Sequence, residues 1–414
     1  MAAVSPEDLD NANGLPSGIR LREFIVLVAL LTSLVAFSID AMLPALPVIG
    51  SEYALASLND QQWVIIAFVL AFGPSQLVFG PVSDAYGRRV VVILGGILFT
   101  IASFVAANAN SFELLITARI FQGFGAGAVR VATNAIVRDC FAGREMARVM
   151  SFVFTVFILI PIIAPAIGEL MMFISSWHLI FVVLGATGAA LSIWYWFRLG
   201  ETLPLTERRP LRMKPLWEAT REILTNRIAL GYTLAVTLFF GGLFAFIISI
   251  QQIVAVTYDL ADWFAGIFAI TATAIGIASL TNAGLVRKYG MRRISHIALI
   301  SFAVFGIVLT LIALLTTPPF WLTMVFLAII MGSFGLVAGN FNALAMEPLG
   351  HIAGAASSVL GTISFTGGAM LGTLSGQLFN GTILPLAASY AIYGSVALLL
   401  VFWTERGKLF STAQ

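Results

Sequence analysis

Apolar runs of about twenty residues, separated by short polar stretches, fill the chain from Phe24 to Thr404. A bilayer's hydrocarbon layer is about 30 Å thick, and about 20 apolar residues cross it as a helix. Twelve segments have that length: residues 24–49, 61–82, 90–108, 112–137, 149–171, 178–197, 228–250, 263–285, 294–315, 320–342, 354–378 and 387–404. The pattern predicts an all-α integral membrane fold of twelve transmembrane helices and leaves almost no room for a soluble domain. The only long polar stretch, from Arg198 to Arg227, falls after six spans and before the next six. The expected organisation is a disordered tail at 1–19, a six-helix bundle at 20–198, a linker at 199–227, a second six-helix bundle at 228–404 and a tail at 405–414.

Composition agrees: of 414 residues 59% are hydrophobic and 10% charged, against about 25% charged in a soluble domain. The net charge of +2 says little, but its distribution sets an orientation. With the N-terminus in the cytoplasm and twelve crossings, 20 of the 22 Lys and Arg fall on the cytoplasmic side and none in the outer loops, as the positive-inside bias requires. The other two, Arg119 and Arg130, lie inside the fourth span. The first apolar segment is too long and too far into the chain for a cleaved signal peptide and is expected to remain as a helix. Cys140 is the single cysteine, so no internal disulfide forms, and His178, His296 and His351 show no metal-ligand spacing.

A weak repeat relates the halves. SDAYGRRV ends the second span and VRKYGMRRI the eighth, placing Gly87 and Gly290 203 positions apart. Two pseudo-symmetric six-helix bundles are a transporter plan with the substrate site near the membrane midplane. The linker's tail from Pro215 forms either a short amphipathic helix on the membrane with Trp217 facing lipid, or an unstructured basic connector; both readings stay open.

A charge near the middle of a membrane helix costs about 2.5–3.5 kcal/mol on the mildest scale and usually faces a cavity or a partner. Asp40 and Arg119 are therefore the first functional candidates. If the first span ends near Ile49, Asp40 lies about 14 Å in, and Arg119 lies about 10 Å from the outer start of the fourth span, so the two can meet. A carboxylate in a wet cavity beside an arginine can gain or lose a proton as its exposure changes, which suits a proton-driven pump; the other reading is a static ion pair that fixes two helices. Arg130 points the same way about 16 Å nearer the cytoplasm, and either attracts an anionic or carbonyl-rich substrate or snorkels to the interface. Pro161 and Pro165 break backbone hydrogen bonds in the fifth span and bend it. Gly368, Gly372 and Gly376 recur every four residues on the eleventh and allow close helix contact.

These motifs resemble the major facilitator superfamily, in particular the twelve-helix drug:proton antiporters and their bicyclomycin and chloramphenicol resistance branch. GPVSDAYGRR (Gly80 to Arg89) is similar to the superfamily's loop between helices 2 and 3, RIFQGFGAG (Arg119 to Gly127) to its helix 4 motif, and DAMLPALP (Asp40 to Pro47) to the helix 1 motif of the drug exporters. SSWHLIF (Ser175 to Phe181) and LGHIAGAASSVLG (Leu349 to Gly361) point to the narrower branch. The resemblance implies that Gly80 lets the second span approach the eleventh, and that Asp84 and Arg88, around the turn at Gly87, form with Asp139 a charge network that latches the outward-facing state. It implies that Asp40 carries the proton, tuned by Arg119 and Gln122. The fifth span keeps Pro161, Pro165 and Gly168 of the antiporter motif, but Ile160, Ala164 and Glu169 stand where that motif favours glycine. Arg287 stands in the second-half place of Asp84, and Arg130 matches no general motif.

The function implied is proton-coupled efflux of small amphipathic compounds by alternating access in a bacterial inner membrane, both termini cytoplasmic, with a cavity lined by Asp40, Gln122, Arg130, Phe240 and Phe244. No cofactor is expected beyond the proton gradient. The expected partners are the bilayer, protons and a small molecule, with no nucleic acid, and the chain is expected to be a monomer. An exporter dedicated to one metabolite class, such as a peptide or a siderophore-like anion, is the nearest rival. A channel is more remote. An enzyme would need a nucleophile with a base or a metal site, which the scattered histidines and single cysteine do not supply.

Overall fold

The computed structural model describes Leu15 and residues 19–208, 210–211 and 214–410. Most of the expected N-terminal tail and the last four residues lie outside the described residues. In chain order the helices are α1 (Leu21–Asp40), α2 (Leu46–Glu52), α3 (Trp63–Tyr86), α4 (Arg88–Ala107), α5 (Phe112–Cys140), α6 (Gly143–Ile174), α7 (Trp177–Arg198), α8 (Lys214–Thr225), α9 (Arg227–Gln252), α10 (Phe264–Tyr289), α11 (Met291–Leu315), α12 (Phe320–Met346), α13 (Ala353–Gln377) and α14 (Leu384–Thr404). No strand occurs among the described residues.

Among these residues, eleven helical stretches are long and apolar enough to cross a membrane, and the longest, Phe320–Gln377, has 58 residues. As one straight helix it would measure about 87 Å, nearly three times the hydrocarbon thickness. A 3-10 turn at Glu347–Ile352, non-helical at Leu349, divides it into α12 and α13, and twelve spans result.

The first span is not the continuous helix expected over 24–49. It stops at Asp40, passes through a 3-10 turn at Leu43–Ala45, and resumes as α2. Pro44 and Pro47 account for the break. Neither has an N–H, so the carbonyls of Asp40 and Leu43 lose their helical donors, while Pro47, in the first turn of α2, stands where no N–H is needed. Asp40 therefore sits at a helix end inside the span.

The chain divides into two compact units, Met1–Met42 with Ala71–Met213, and Leu43–Leu70 with Lys214–Gln414, as far as these are described. In the first, α1 packs on α5, α6 and α7, and α4 packs on α5 and α7. In the second, α9 packs on α12, α13 and α14, and α11 packs on α12 and α14. Spans one, three, four, five and six pair in the first unit as spans seven, nine, ten, eleven and twelve do in the second, which gives the short sequence repeat a three-dimensional meaning. Its two glycines share a backbone state: Gly87 (φ 105°, ψ 157°) and Gly290 (φ 80°, ψ 154°) each stand immediately before a helix, in a region that essentially only glycine occupies.

The glycine stripe of α13 packs on α9. A Cβ on Gly372 would lie 2.5 Å from Phe244 Cβ and 2.8 and 2.9 Å from the backbone C of Phe244 and N of Ala245. Backbone cannot yield as a side-chain tip can, so Gly372→Val is expected to destabilise the protein by about 3 kcal/mol, the upper part of the overpacking range. Thermal unfolding in detergent checks this, with Leu374→Val on the exposed face of the same helix expected to be neutral.

Of the two readings left open for the linker's tail, the helix forms. α8 buries Leu216, Ala219 and Ile223, at helical spacing, and packs on α13 and α9, leaving Trp217 exposed. Arg287 is exposed, and the second unit builds its charge network elsewhere. Arg292 donates to Glu405 (Nε to Oε1, 2.9 Å) and to Glu347 (Nη2 to Oε2, 2.9 Å), and the Tyr232 hydroxyl donates to Glu405 Oε1 at 2.6 Å. The Phe410 N–H donates to His296 Nδ1 at 3.2 Å, which leaves Nε2 to donate to the Tyr232 oxygen, also 3.2 Å away. Burial raises the Glu405 carboxyl, but the bonds from Tyr232 and Arg292 outweigh it and hold the group below its usual range. A carboxylate lowered in the folded state contributes stability above its unfolded value of about 4.3 and loses it as pH falls through the folded value. The difference in melting temperature between native protein and Glu405→Gln, which isolates this contribution, is therefore expected to hold between pH 7 and 5 and to shrink below about pH 4.3.

Candidate functional site

The first unit gathers most of the polar residues singled out from the sequence. Arg119 on α5 is completely buried. Its Nη1 donates to Gln122 Oε1 at 2.6 Å and its Nη2 to the backbone oxygen of Ser38 at 3.2 Å, and the guanidinium lies 5.7 Å from the Phe181 ring of α7. Gln122 Nε2 donates to Ser103 Oγ at 2.7 Å, and Ser103 in turn to the Phe99 carbonyl of α4 at 2.7 Å. A directional chain of hydrogen bonds thus ties α4 through α5 to the last turn of α1.

Asp40 ends that turn, two residues beyond Ser38, and is 4% exposed. The sequence places Asp40 and Arg119 at one level, and the structure brings Arg119 to the α1 backbone rather than to the carboxylate. Among the described residues no ion pair within 4.0 Å joins the two. The static ion pair is not what forms. Asp40 is a buried carboxylate at the C-terminal end of a broken helix, where the macrodipole supplies no positive charge.

Arg130 lies ten residues from the end of α5, about 15 Å from the end of the unit that carries Arg88, Arg89 and Arg138. Its Nη1 approaches the Thr32 carbonyl of α1 at 3.5 Å, and its guanidinium lies 5.1 Å from the Phe157 ring of α6. It is half-buried and reaches across the helix bundle towards α1 and α6.

At the basic end, Arg88 joins the residues expected around it. Nε donates to Asp139 Oδ2 at 2.9 Å, Nη1 to Asp84 Oδ1 at 2.5 Å and to Ser83 Oγ at 3.1 Å. One member was not foreseen. Glu201, in the linker, accepts from the backbone N–H groups of Arg88 (2.9 Å) and Arg89 (3.2 Å) and lies 3.7 Å from Arg208. These N–H groups belong to the first turn of α4, which has no intrahelical acceptor for them, and an anion there also meets the positive end of the helix dipole. A side chain on Gly87 would collide with that carboxylate. No local pattern announces Glu201, which comes 113 positions after Arg88.

Gly80 is half-buried in α3, flanked by Phe79, whose ring packs edge-on against Phe124 at 5.4 Å. Pro161, Pro165 and Gly168 lie inside α6, which continues through both prolines. In the second unit, Phe240 and Phe244 stack with ring centroids 6.1 Å apart, and Phe365 lies 4.5 Å from Phe240. The stripe on α13 fixes the two rings from behind.

Comparison with known proteins follows the same lines. The family description "Major Facilitator Superfamily" matches residues 28–373. The chain is 30% identical over 365 residues to the bicyclomycin resistance protein homolog of Haemophilus influenzae, covering 88% of this chain and 91% of the relative. It is 28% identical over 353 residues to the multidrug resistance protein MdtL of Citrobacter koseri, covering 84% and 87%. Among solved structures, that of a D-xylose-proton symporter superposes with a TM-score of 0.73 at 15% identity, covering 93% of this chain and 99% of the other; this likeness is one of fold.

Proposed function

The chain belongs to the major facilitator superfamily, and from that premise we propose that it is a proton-coupled exporter of small amphipathic compounds. It is a multi-pass membrane transporter and not an enzyme. The relatives' names, bicyclomycin resistance and multidrug resistance, support export of drug-like molecules. The location is a bacterial inner membrane with both termini in the cytoplasm, in keeping with the basic clusters at the ends of α3, α5, α7 and α10.

The observation that carries the coupling is Asp40. A buried carboxylate with no cation on it changes its charge when water reaches it, because burial and hydration favour different protonation states. The break in the first span gives that site a place to open. Arg119, held by Gln122 and the Ser38 carbonyl, supplies a fixed positive charge one turn away without neutralising the acid. Asp40, Gln122 and Arg130 are the substrate contacts assigned to the first unit, and Phe240 and Phe244 those assigned to the second. The network of Asp84, Arg88 and Asp139 around Gly87, with Gly80 on the same helix, serves as the latch of the alternating cycle, and Pro161, Pro165 and Gly168 let α6 bend during it.

Cells that express the chain are expected to accumulate less of several unrelated compounds, among them a phenicol and a bicyclomycin-like molecule, and a protonophore is expected to restore accumulation. Export that survives the protonophore would overturn the coupling. Export of one compound class alone would replace broad efflux by a dedicated exporter.

A further inference from the structure

Within that efflux reading, on which this rests, we propose that Arg130 and the hydroxyl of Thr32 form a subsite for an anionic group, so that the favoured cargo is an amphipathic acid carrying a carboxylate.

The two buried arginines, Arg88 and Arg119, and the half-buried Arg292 have dedicated acceptors. Arg88 has Asp84 and Asp139, Arg119 has Gln122 and the Ser38 carbonyl, and Arg292 has Glu405 and Glu347. Arg130 has one contact at the limit of a hydrogen bond, 3.5 Å to the Thr32 carbonyl, and a ring. A guanidinium carries five donors in a fork that fits a carboxylate, so most of that capacity is unused.

The facing turn of α1 has the same character. Hydroxyls inside helices ordinarily bond to the carbonyl four residues back, as Ser38 does to Leu34 and Thr133 to Val129. Thr32 Oγ1 and Ser33 Oγ make no such bond and are buried without a partner. Thr32 is also the residue whose carbonyl Arg130 approaches. A cation and the idle hydroxyl of the residue it approaches, where α1, α5 and α6 converge, can be satisfied together by one anionic group. The Phe157 ring beside the guanidinium provides apolar contact for the rest of such a molecule.

Thr32 precedes Asp40 by eight residues, about 12 Å along α1, so the anion and the proton occupy separate places. Whatever the number of protons exchanged per cycle, export of a monoanion then moves one more elementary charge than export of a neutral analogue. Acid export is expected to respond more steeply to membrane potential.

The test uses the full chain in nanodiscs, without any gradient, and compares binding of 2-naphthylacetate with that of its neutral analogue 2-naphthylacetamide. Native protein is expected to prefer the acid by about tenfold or more, the worth of one charge-assisted hydrogen bond. Arg130→Gln is expected to bring the ratio to about one, with its melting temperature in the same nanodiscs showing that the variant is folded; Arg130→Lys keeps a preference and Thr32→Val reduces it. A native protein that does not prefer the acid, or a preference that survives Arg130→Gln, would overturn the subsite. Proton-coupled export of neutral compounds alongside either result would leave the efflux reading intact. Conversely, loss of coupling would leave the binding ratio unaffected.

Discussion

Replacing Asp40 by asparagine is expected to reduce proton-driven export to below about one hundredth of the native rate, a barrier increase of about 2.7 kcal/mol. The substitution keeps shape and removes the exchangeable proton. It should not unfold the protein, because among the described residues Asp40 forms no ion pair and Arg119 is fixed by Gln122 and the Ser38 carbonyl. Had the two formed a static bridge, the variant would instead strand a buried guanidinium and lower the melting temperature. Substrate exchange across vesicles without a gradient is expected to persist in the variant, since that partial reaction needs no net proton movement. Counterflow and melting curves measured together separate the two possibilities.

The second large effect is expected at Arg88. Alanine there removes the salt bridge of Asp139, whose side chain is 15% exposed, and releases Asp84, which is 43% exposed. Breaking a buried pair from one side costs about 3–5 kcal/mol; Asp84 is well hydrated and contributes little to that sum, which puts the expected loss near the lower figure. Arg88→Lys is expected to recover only part of it, because one ammonium cannot reproduce the fork that reaches both carboxylates. Denaturant unfolding measures the loss. Glu201→Gln, which weakens the bonds to the backbone of α4 but keeps an acceptor, is expected to be milder.

Much of this was legible in the chain because hydrocarbon imposes a length. Twelve apolar segments separated by polar turns leave few alternatives to twelve helices, and Gly87 and Gly290 mark a repeat that a Gly-only backbone state explains. The stripe of Gly368, Gly372 and Gly376 was readable for the same reason, since a period of four on a helix means one face. The break after Asp40 was present in the sequence as Pro44 and Pro47 but was overridden by the apolar run continuing to Ile49. Depth counting put Asp40 and Arg119 at one level within a turn; it could not say which way the guanidinium turns, which depends on Gln122 and Ser103 on neighbouring helices. Glu201 and Glu405 escaped because their partners lie more than a hundred positions away. The orphaned groups that attract them, a helix N-terminus and a buried arginine, exist only once the helices are packed.

The central claim is that Asp40 couples substrate export to proton entry, and substrate-triggered proton release from acid-loaded inverted vesicles tests it most directly. On addition of a phenicol, vesicles with native protein are expected to release protons and vesicles with Asp40→Asn to release none. Equal release from both would contradict the assignment and place the coupling proton elsewhere.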